Sequence, residues 1–406
     1  MIDSWFKDNL DYKTIVPVIF LVAVGVASVY SATYDAAASL YFNRQLMWAG
    51  IGTLLMIILI FIPFRSLQLL SYPLYGISIL LLIGVLGAGK MVAGSRSWFG
   101  IAGLGLQPSE LVKVTTILAL ATYLSDPQVH LRKLKNLAVT FGFVLLPVFL
   151  IALQPDVGTA IIYLGMLAII LYWAGASNFL MLTLIAPAAA VVATLFGTTP
   201  FVIVVGATLL LLFLLRENRL LSALVFSGTV LLGVSVQFIF STLALHQQNR
   251  ILSFLNPEAD PRGAGYNVIQ SQIAIGSGGV FGKGFLHGSQ TQLNFIPAQW
   301  TDFIYCVPGE EFGFMGAFAI LLLMTLLLVR GVQIAAMVKN RYASLVAIGI
   351  VAVLSTHMVI NIGMSMGILP VIGVPLPFIS YGGSHLMTNM IMAGLLLNMY
   401  ANRKEY

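Results

Sequence analysis

Of the 406 residues, 59% are hydrophobic and 8% charged, against about 45–50% apolar and about 25% charged in soluble domains, so an ordinary water-soluble fold is excluded. The formal charge of +6 does not indicate nucleic acid, because the basic residues are scattered at the ends of apolar runs with no dense patch or nucleic-acid motif. One cysteine, Cys306, excludes an internal disulfide framework, and its place at the start of an apolar run reads as a buried structural thiol.

Taken in order, the chain predicts an all-α polytopic membrane protein, a single integral membrane domain over 1–406 with about 10 to 12 helices. The first apolar run follows Asp11-Tyr12-Lys13, lasts about the twenty residues a bilayer needs, lacks a small-residue cleavage pattern and reads as a retained helix. Spans are expected near 14–33, 46–63, 69–89, 108–125, 137–154, 157–174, 179–196, 200–215, 220–244, 303–329, 343–364 and 382–401. The pair within 179–215 is the weak point, since Pro187 interrupts the first and the second has only a short run before Arg216; both cross or neither does. With the N-terminus inside, thirteen basic residues, among them Arg132, Lys133 and Lys135, fall on the cytoplasmic side and six on the other, as the positive-inside rule requires.

That orientation places 246–302 outside the cytoplasm, where cytosolic nucleotides are scarce and chemistry must run on a pre-activated substrate. Residues 256–311 form the one long stretch that is not apolar enough to span a bilayer. It holds Asn256-Pro257, Asp260-Pro261 and Gly265-Tyr266, followed by Gly276-Ser277-Gly278-Gly279, Asp302 and Glu310-Glu311. Glycines and prolines at turn-like intervals predict short helices joined by turns, and a connection of this length points to an active-site element or a plain surface loop.

Polar residues in or beside apolar runs are the other candidates, because ionisable groups are costly there. Glu110 and Lys113 lie three apart on one face of a helix that Pro108 can start, as a structural ion pair or as contacts to a polar head group. Asp156 follows Pro155 and can cap the next helix or meet substrate. Arg96 and Trp98 supply a cation and an indole at the outer face, where interfacial anchoring and ligand contact are both open. His246, His287, His357 and His385 lack the spacing of a metal cluster and read as structural. Toward the C-terminus, Gly367, Pro370, Gly373, Pro375 and Pro377 precede Ser380-Tyr381-Gly382-Gly383, predicting a non-helical segment buried in protein or lining a watery cavity.

In combination, Gly94-Ser95-Arg96, Gln107-Pro108-Ser109-Glu110 with Lys113, Gln154-Pro155-Asp156, Asp260-Pro261 with Gly265-Tyr266, and Pro375-Leu376-Pro377 with Ser380-Tyr381-Gly382-Gly383 resemble the SEDS family of shape, elongation, division and sporulation proteins. Asn256-Pro257, Gly282-Lys283-Gly284 and Leu286-His287-Gly288 are more similar to its rod-shape branch than to its division branch. The resemblance implies a SEDS-type transmembrane bundle in the bacterial inner membrane. It also implies a glycosyltransferase that polymerises lipid II and works with a class B penicillin-binding protein, a transpeptidase, in the elongation machinery. Asp260 matches the aspartate that the family requires. Trp300 stands where the family commonly has His, Ala298 where many members are acidic, and the 179–215 pair exceeds the usual ten-helix core.

A polyprenyl diphosphate sugar already carries a good leaving group, so such chemistry needs a base for the acceptor hydroxyl and charge stabilisation at the diphosphate. Asp260 suits the first. Arg96, Lys113, Arg250 or Lys283 suits the second, alone or with a divalent cation such as Mg or Mn, and Trp98, Glu110, Asp156 and Ser380 complete the substrate-binding candidates. A flippase for a lipid-linked precursor would use the same polar intramembrane groups, and a scaffold for other wall enzymes would need none of them.

Overall fold

The computed structural model describes residues 9–34, 38–92, 95–101, 104–216, 218–242, 248, 265–293 and 295–404. The long helices are α1 Tyr12–Ala32, α2 Ala38–Phe61, α3 Phe64–Ala88, α4 Pro108–Ser125, α5 Leu134–Ala152, α6 Val157–Trp173, α7 Asn178–Leu195, α8 Thr198–Leu215 and α9 Arg219–Thr242. After α10 Tyr266–Ser277 and the short α11 Ser289–Gln292 and α12 Cys306–Glu311 come α13 Gly313–Met337, α14 Arg341–Ser365 and α15 Gly383–Ala401. Among the described residues, 9 helices are long and apolar enough to cross a membrane, α7 and α8 included. The 21 residues of α1 rise about 31 Å at 1.5 Å each, the thickness of a hydrocarbon core.

The chain divides into two compact units, one of 1–170 with 270–406 and one of 171–269. In the second, α7 packs on both α8 and α9, so the two weak spans form one group with a third helix. In the first, α14 and α15 are buried along most of their length. The helix α4, which carries Glu110 and Lys113, is largely buried too, and neither α4 nor α15 is among the strongly apolar spans. Polar side chains therefore mark the interior helices here, while leucine-rich faces of α2 and α3 are exposed as lipid requires.

Two elements depart from the expected spans. Three short antiparallel strands, β1 Lys90–Val92, β2 Ser95–Ile101 and β3 Leu104–Leu106, fill the connection between α3 and α4 in the order β1-β2-β3. The expected span at 303–329 is instead divided: α12 ends at Glu311, and α13 starts at Gly313 with φ +65°. The break turns Glu310 and Glu311 toward the preceding loop, and a Cβ at Gly313 would sit 2.7 Å from the Val280 carbonyl. Cys306 is buried as anticipated and its thiol donates to the Phe303 carbonyl.

Helices α2 and α15 run parallel. Gly383 lies against the Trp48 indole, and fifteen residues further along Asn398 Nδ2 donates to the Leu59, Ile60 and Ile62 carbonyls at the end of α2. That amide satisfies orphan carbonyls of a helix terminus inside the bundle. At the same end Arg330 of α13 makes two bonds of 2.9 Å to the Asp11 carboxylate, a third to Gln333, and lies 5.2 Å from the Tyr400 ring centroid. Asp11 is 3% exposed. One clamp thus joins the start of α1 to α13 and α15.

Removing one partner of a buried pair leaves an uncompensated charge and costs about 3–5 kcal/mol. Asp11→Ala is therefore expected to lower the melting midpoint of the detergent-purified protein sharply, and Asp11→Ala with Arg330→Met to recover most of the loss. Equal melting of the single variant and wild type would show that the clamp carries no load.

Candidate functional site

The end of the first unit opposite the Asp11 clamp gathers the polar residues. Pro108 starts α4, so that Glu110 and Lys113 fall on one face, and Lys113 Nζ stands 2.8 Å from Glu110 Oε1. Lys113 is 1% and Glu110 3% exposed. The other partner of Lys113 is His357 Nε2 of α14 at 2.9 Å, while His357 Nδ1 is 3.0 Å from the Pro375 carbonyl. A carbonyl only accepts, so His357 carries its proton on Nδ1 and its Nε2 accepts from the ammonium. His385 Nδ1 of α15 lies 3.1 Å from Glu110 Oε2 and donates to it. Two histidines that the sequence reading left as structural thus complete the Glu110–Lys113 pair. Their signal was present in the sequence: each is an ionisable residue within an apolar helix.

From this cluster, hydrogen bonds reach two loops. Asn361 Nδ2 donates to the Asp302 and Val374 carbonyls, and Ser380 Oγ donates to the Thr301 carbonyl at 2.6 Å while accepting the Leu376 N–H. The Tyr381 N–H donates to the Trp300 carbonyl, and both rings pack on Tyr41. Segments 300–302 and 374–381 are therefore fastened side by side. A Cβ at Gly25 of α1 would come 2.5 Å from the Phe378 carbonyl, so only glycine lets the helix approach.

The remaining candidates separate into distinct settings. Asp156 caps α6: Oδ1 accepts the Thr159 N–H, and Oδ2 accepts the Thr159 hydroxyl and Gln107 Nε2. Arg96 is exposed on β2. Two residues on, the Trp98 ring covers Gly105 of β3, where a Cβ would sit 2.9 Å from it. Lys283 directs its ammonium to Ser277, Ser289 and Glu310, using all three protons within the loop. Burial would raise the Glu310 carboxyl, yet the Gln290 N–H, Lys283 and the Thr291 N–H hold it below the usual carboxylate range. At Glu311 burial outweighs bonds from Ser31, the Leu286 N–H and Gln292, and the carboxyl is pushed up. Asp260 and Arg250 lie outside the described residues, as do Gly94 and Arg262. Among the described residues no three His, Cys, Asp or Glu side chains form a metal-holding group.

A buried pair loses more from removal of one partner than from removal of both. Lys113→Met is expected to cost roughly 3–5 kcal/mol of stability, and Glu110→Gln added to it should restore most of the melting midpoint. A double variant no more stable than the single one would mean that the pair is not a closed electrostatic unit.

The family profile described as FTSW_RODA_SPOVE, cell cycle protein, matches residues 11–203 and 196–405. Peptidoglycan glycosyltransferase RodA of Treponema pallidum is 34% identical, over 97% of this chain and 98% of its own. Peptidoglycan glycosyltransferase MrdB of Escherichia coli K12 is 33% identical, over 98% and 96%. Among solved structures, a chain from work described as structural coordination of polymerization and crosslinking by a peptidoglycan synthase complex matches with TM-score 0.74 and 31% identity, over 98% and 99% of the two chains. The rod shape determining protein RodA of Thermus thermophilus matches at 0.65 and 27%, over 98% of each. Matched along nearly its whole length, this chain belongs to the FtsW/RodA/SpoVE family of cell cycle proteins, the SEDS proteins.

Proposed function

We propose that this protein is a peptidoglycan glycosyltransferase of the rod-shape branch, polymerising lipid II into β-1,4 glycan strands during cell elongation. The observation that carries the reading is full-length similarity to relatives named peptidoglycan glycosyltransferase. The buried Glu110–Lys113–His357–His385 cluster supports it, because an ion pair and two histidines are far more polar machinery than a helix bundle needs to insert.

In this mechanism the acceptor 4-hydroxyl attacks C1 of the lipid-linked donor, the C1–O bond to the diphosphate breaks, and the hydroxyl proton passes to Asp260 as general base. Attack opposite the leaving diphosphate inverts an α-linked donor to a β bond. Arg96 and Arg250 are assigned to the diphosphate. Lys113 holds Glu110 toward the sugar, with Trp98, Asp156 and Ser380 shaping the site through the sheet, the α6 cap and the fastened loops. Lys283, saturated by its own loop, acts through the placement of α10, α11 and α12. The site faces the periplasm or cell exterior from the cytoplasmic membrane. A class B penicillin-binding protein is the proposed partner, supported by the structural likeness to a chain from a peptidoglycan synthase complex. We also assign α7 and α8 as an addition to a ten-helix core.

Purified protein, alone or with its transpeptidase partner, is expected to convert lipid II in detergent to polymer. Asp260→Asn should lose about 10²–10⁴ in rate with unchanged melting, and Glu110→Gln with Lys113→Met should stay folded and inactive. Transport of lipid II across vesicles without polymer would instead favour the flippase reading. For orientation, in a Cys306→Ala background, Ser253→Cys should react with an impermeant thiol reagent in intact spheroplasts and Gln128→Cys only after lysis. The reverse order would overturn the outward placement.

A further inference from the structure

Helix α15 carries more buried polar groups than the Glu110 cluster uses. At about 100° per residue, Gly383, Met387, Met390 and Gly394 form one face, and α2 packs there through Trp48, Gly52 and Met56. A separate contiguous arc holds Ser384, His385, Thr388 and Asn389, each no more than 4% exposed. His385 aims this arc at α4, through Glu110, and at α14, where its ring lies 5.1 Å from that of His357. Ser384 Oγ, His385 Nε2, Thr388 Oγ1 and both amide atoms of Asn389 have no protein partner. Elsewhere in the bundle Thr53, Thr122 and Thr208 return their hydroxyls to the carbonyl four residues earlier. Thr388 does not.

Stranded donors and acceptors inside a membrane protein cost several kcal/mol each, so a patch of them calls for an occupant. Its chemistry follows from Asn389. A metal cation would satisfy Oδ1 and strand the Nδ2 hydrogens, and an anion would do the reverse. Water donates and accepts. We propose that this arc holds a short file of internal water molecules running along one turn of α15 to His385 Nε2, and that His385 passes protons between the file and Glu110. Each transfer balances: a protonated water gives its proton to Nε2, the Nδ1 proton moves to Glu110 Oε2, and a neutral imidazole of the other tautomer is left beside a neutral carboxyl. The groups facing the pair are Lys113 of α4 and His357 of α14, with the Tyr163 hydroxyl of α6 bound to the Ser109 carbonyl nearby. The relay, resting on the proposed glycosyl transfer, would receive through water the proton that Asp260 takes from the acceptor hydroxyl, and the same steps in reverse would return it from Glu110 to the file.

The water file can be tested without substrate. Brief X-ray irradiation makes hydroxyl radicals at ordered water, and methionine sulfur reports them. Met392 continues the arc one turn deeper and is 0% exposed; Met324 of α13, at 1%, is the dry control. Met392 should oxidise several times faster than Met324, and Thr388→Val with Asn389→Leu should bring it down to the control, as Thr388→Val alone should in part. Equal oxidation of Met392 and Met324 in the wild type overturns the file. In the lipid II assay, the dried and still folded double variant should lose about tenfold in rate, a fraction of what a positioned proton carrier supplies. Unchanged polymerisation in a variant with a protected Met392 overturns the relay. Because the labelling needs no turnover, failure of the lipid II reading leaves its result intact.

Discussion

A lysine ammonium sealed within a membrane bundle must find partners or forfeit its charge, and the way Lys113 finds them organises one end of this protein. Glu110 neutralises it, and His357 Nε2 accepts a hydrogen bond from it. His357 is in turn fixed by the Pro375 carbonyl, in the proline-rich segment before α15. From there Asn361 and Ser380 tie the same segment to residues 301 and 302. Irregular backbone at membrane depth survives only with such partners. The buried charge and its histidine thus fix one loop, and Asn361 and Ser380 hold the second against it.

The other end is built for fastening. The Asp11–Arg330 bonds and the Tyr400 ring join the start of α1 to α13 and to the end of α15, and Asn398 closes the carbonyls at the end of α2. The buried charges of Asp11 and Arg330 are partnered by each other. At the Glu110 end the accounting is incomplete, with unpartnered polar atoms on α15 and further ones at Glu311 and Ser109. That contrast separates a structural lock from a region suited to water and polar ligands.

The limits of sequence reading follow from the same physics. Hydropathy located most of the long helices to within a few residues, because a run of apolar side chains about 30 Å long has few alternatives in lipid, but it misplaced the start of Ala38–Phe61 and both ends of Gly313–Met337. It did not locate the break at Gly313, since the expected span at 303–329 ran through Cys306–Glu311, and the loop amides of Gln290 and Thr291 that hold Glu310 lie about twenty residues away. The strands at 90–106 escaped because short strands with glycines carry almost no periodic signal. Asp156 was legible as a cap from local spacing alone. The role of Lys283 was not, since its partners lie up to 27 residues away.

By itself the sequence determined the class and the family, for these depend on composition and on motifs read along one dimension. It also marked Glu110 and Lys113 as a pair, because three residues along a helix is a local distance. Only the tertiary structure decided that His357 and His385 complete that pair, from 244 and 275 residues away. It likewise decided that Ser380 holds a turn and that one arc of α15 is left with unpartnered polar atoms. Such partnerships are set by which helix faces meet when the bundle packs, and a helix's own sequence states the face it offers without naming the one it receives.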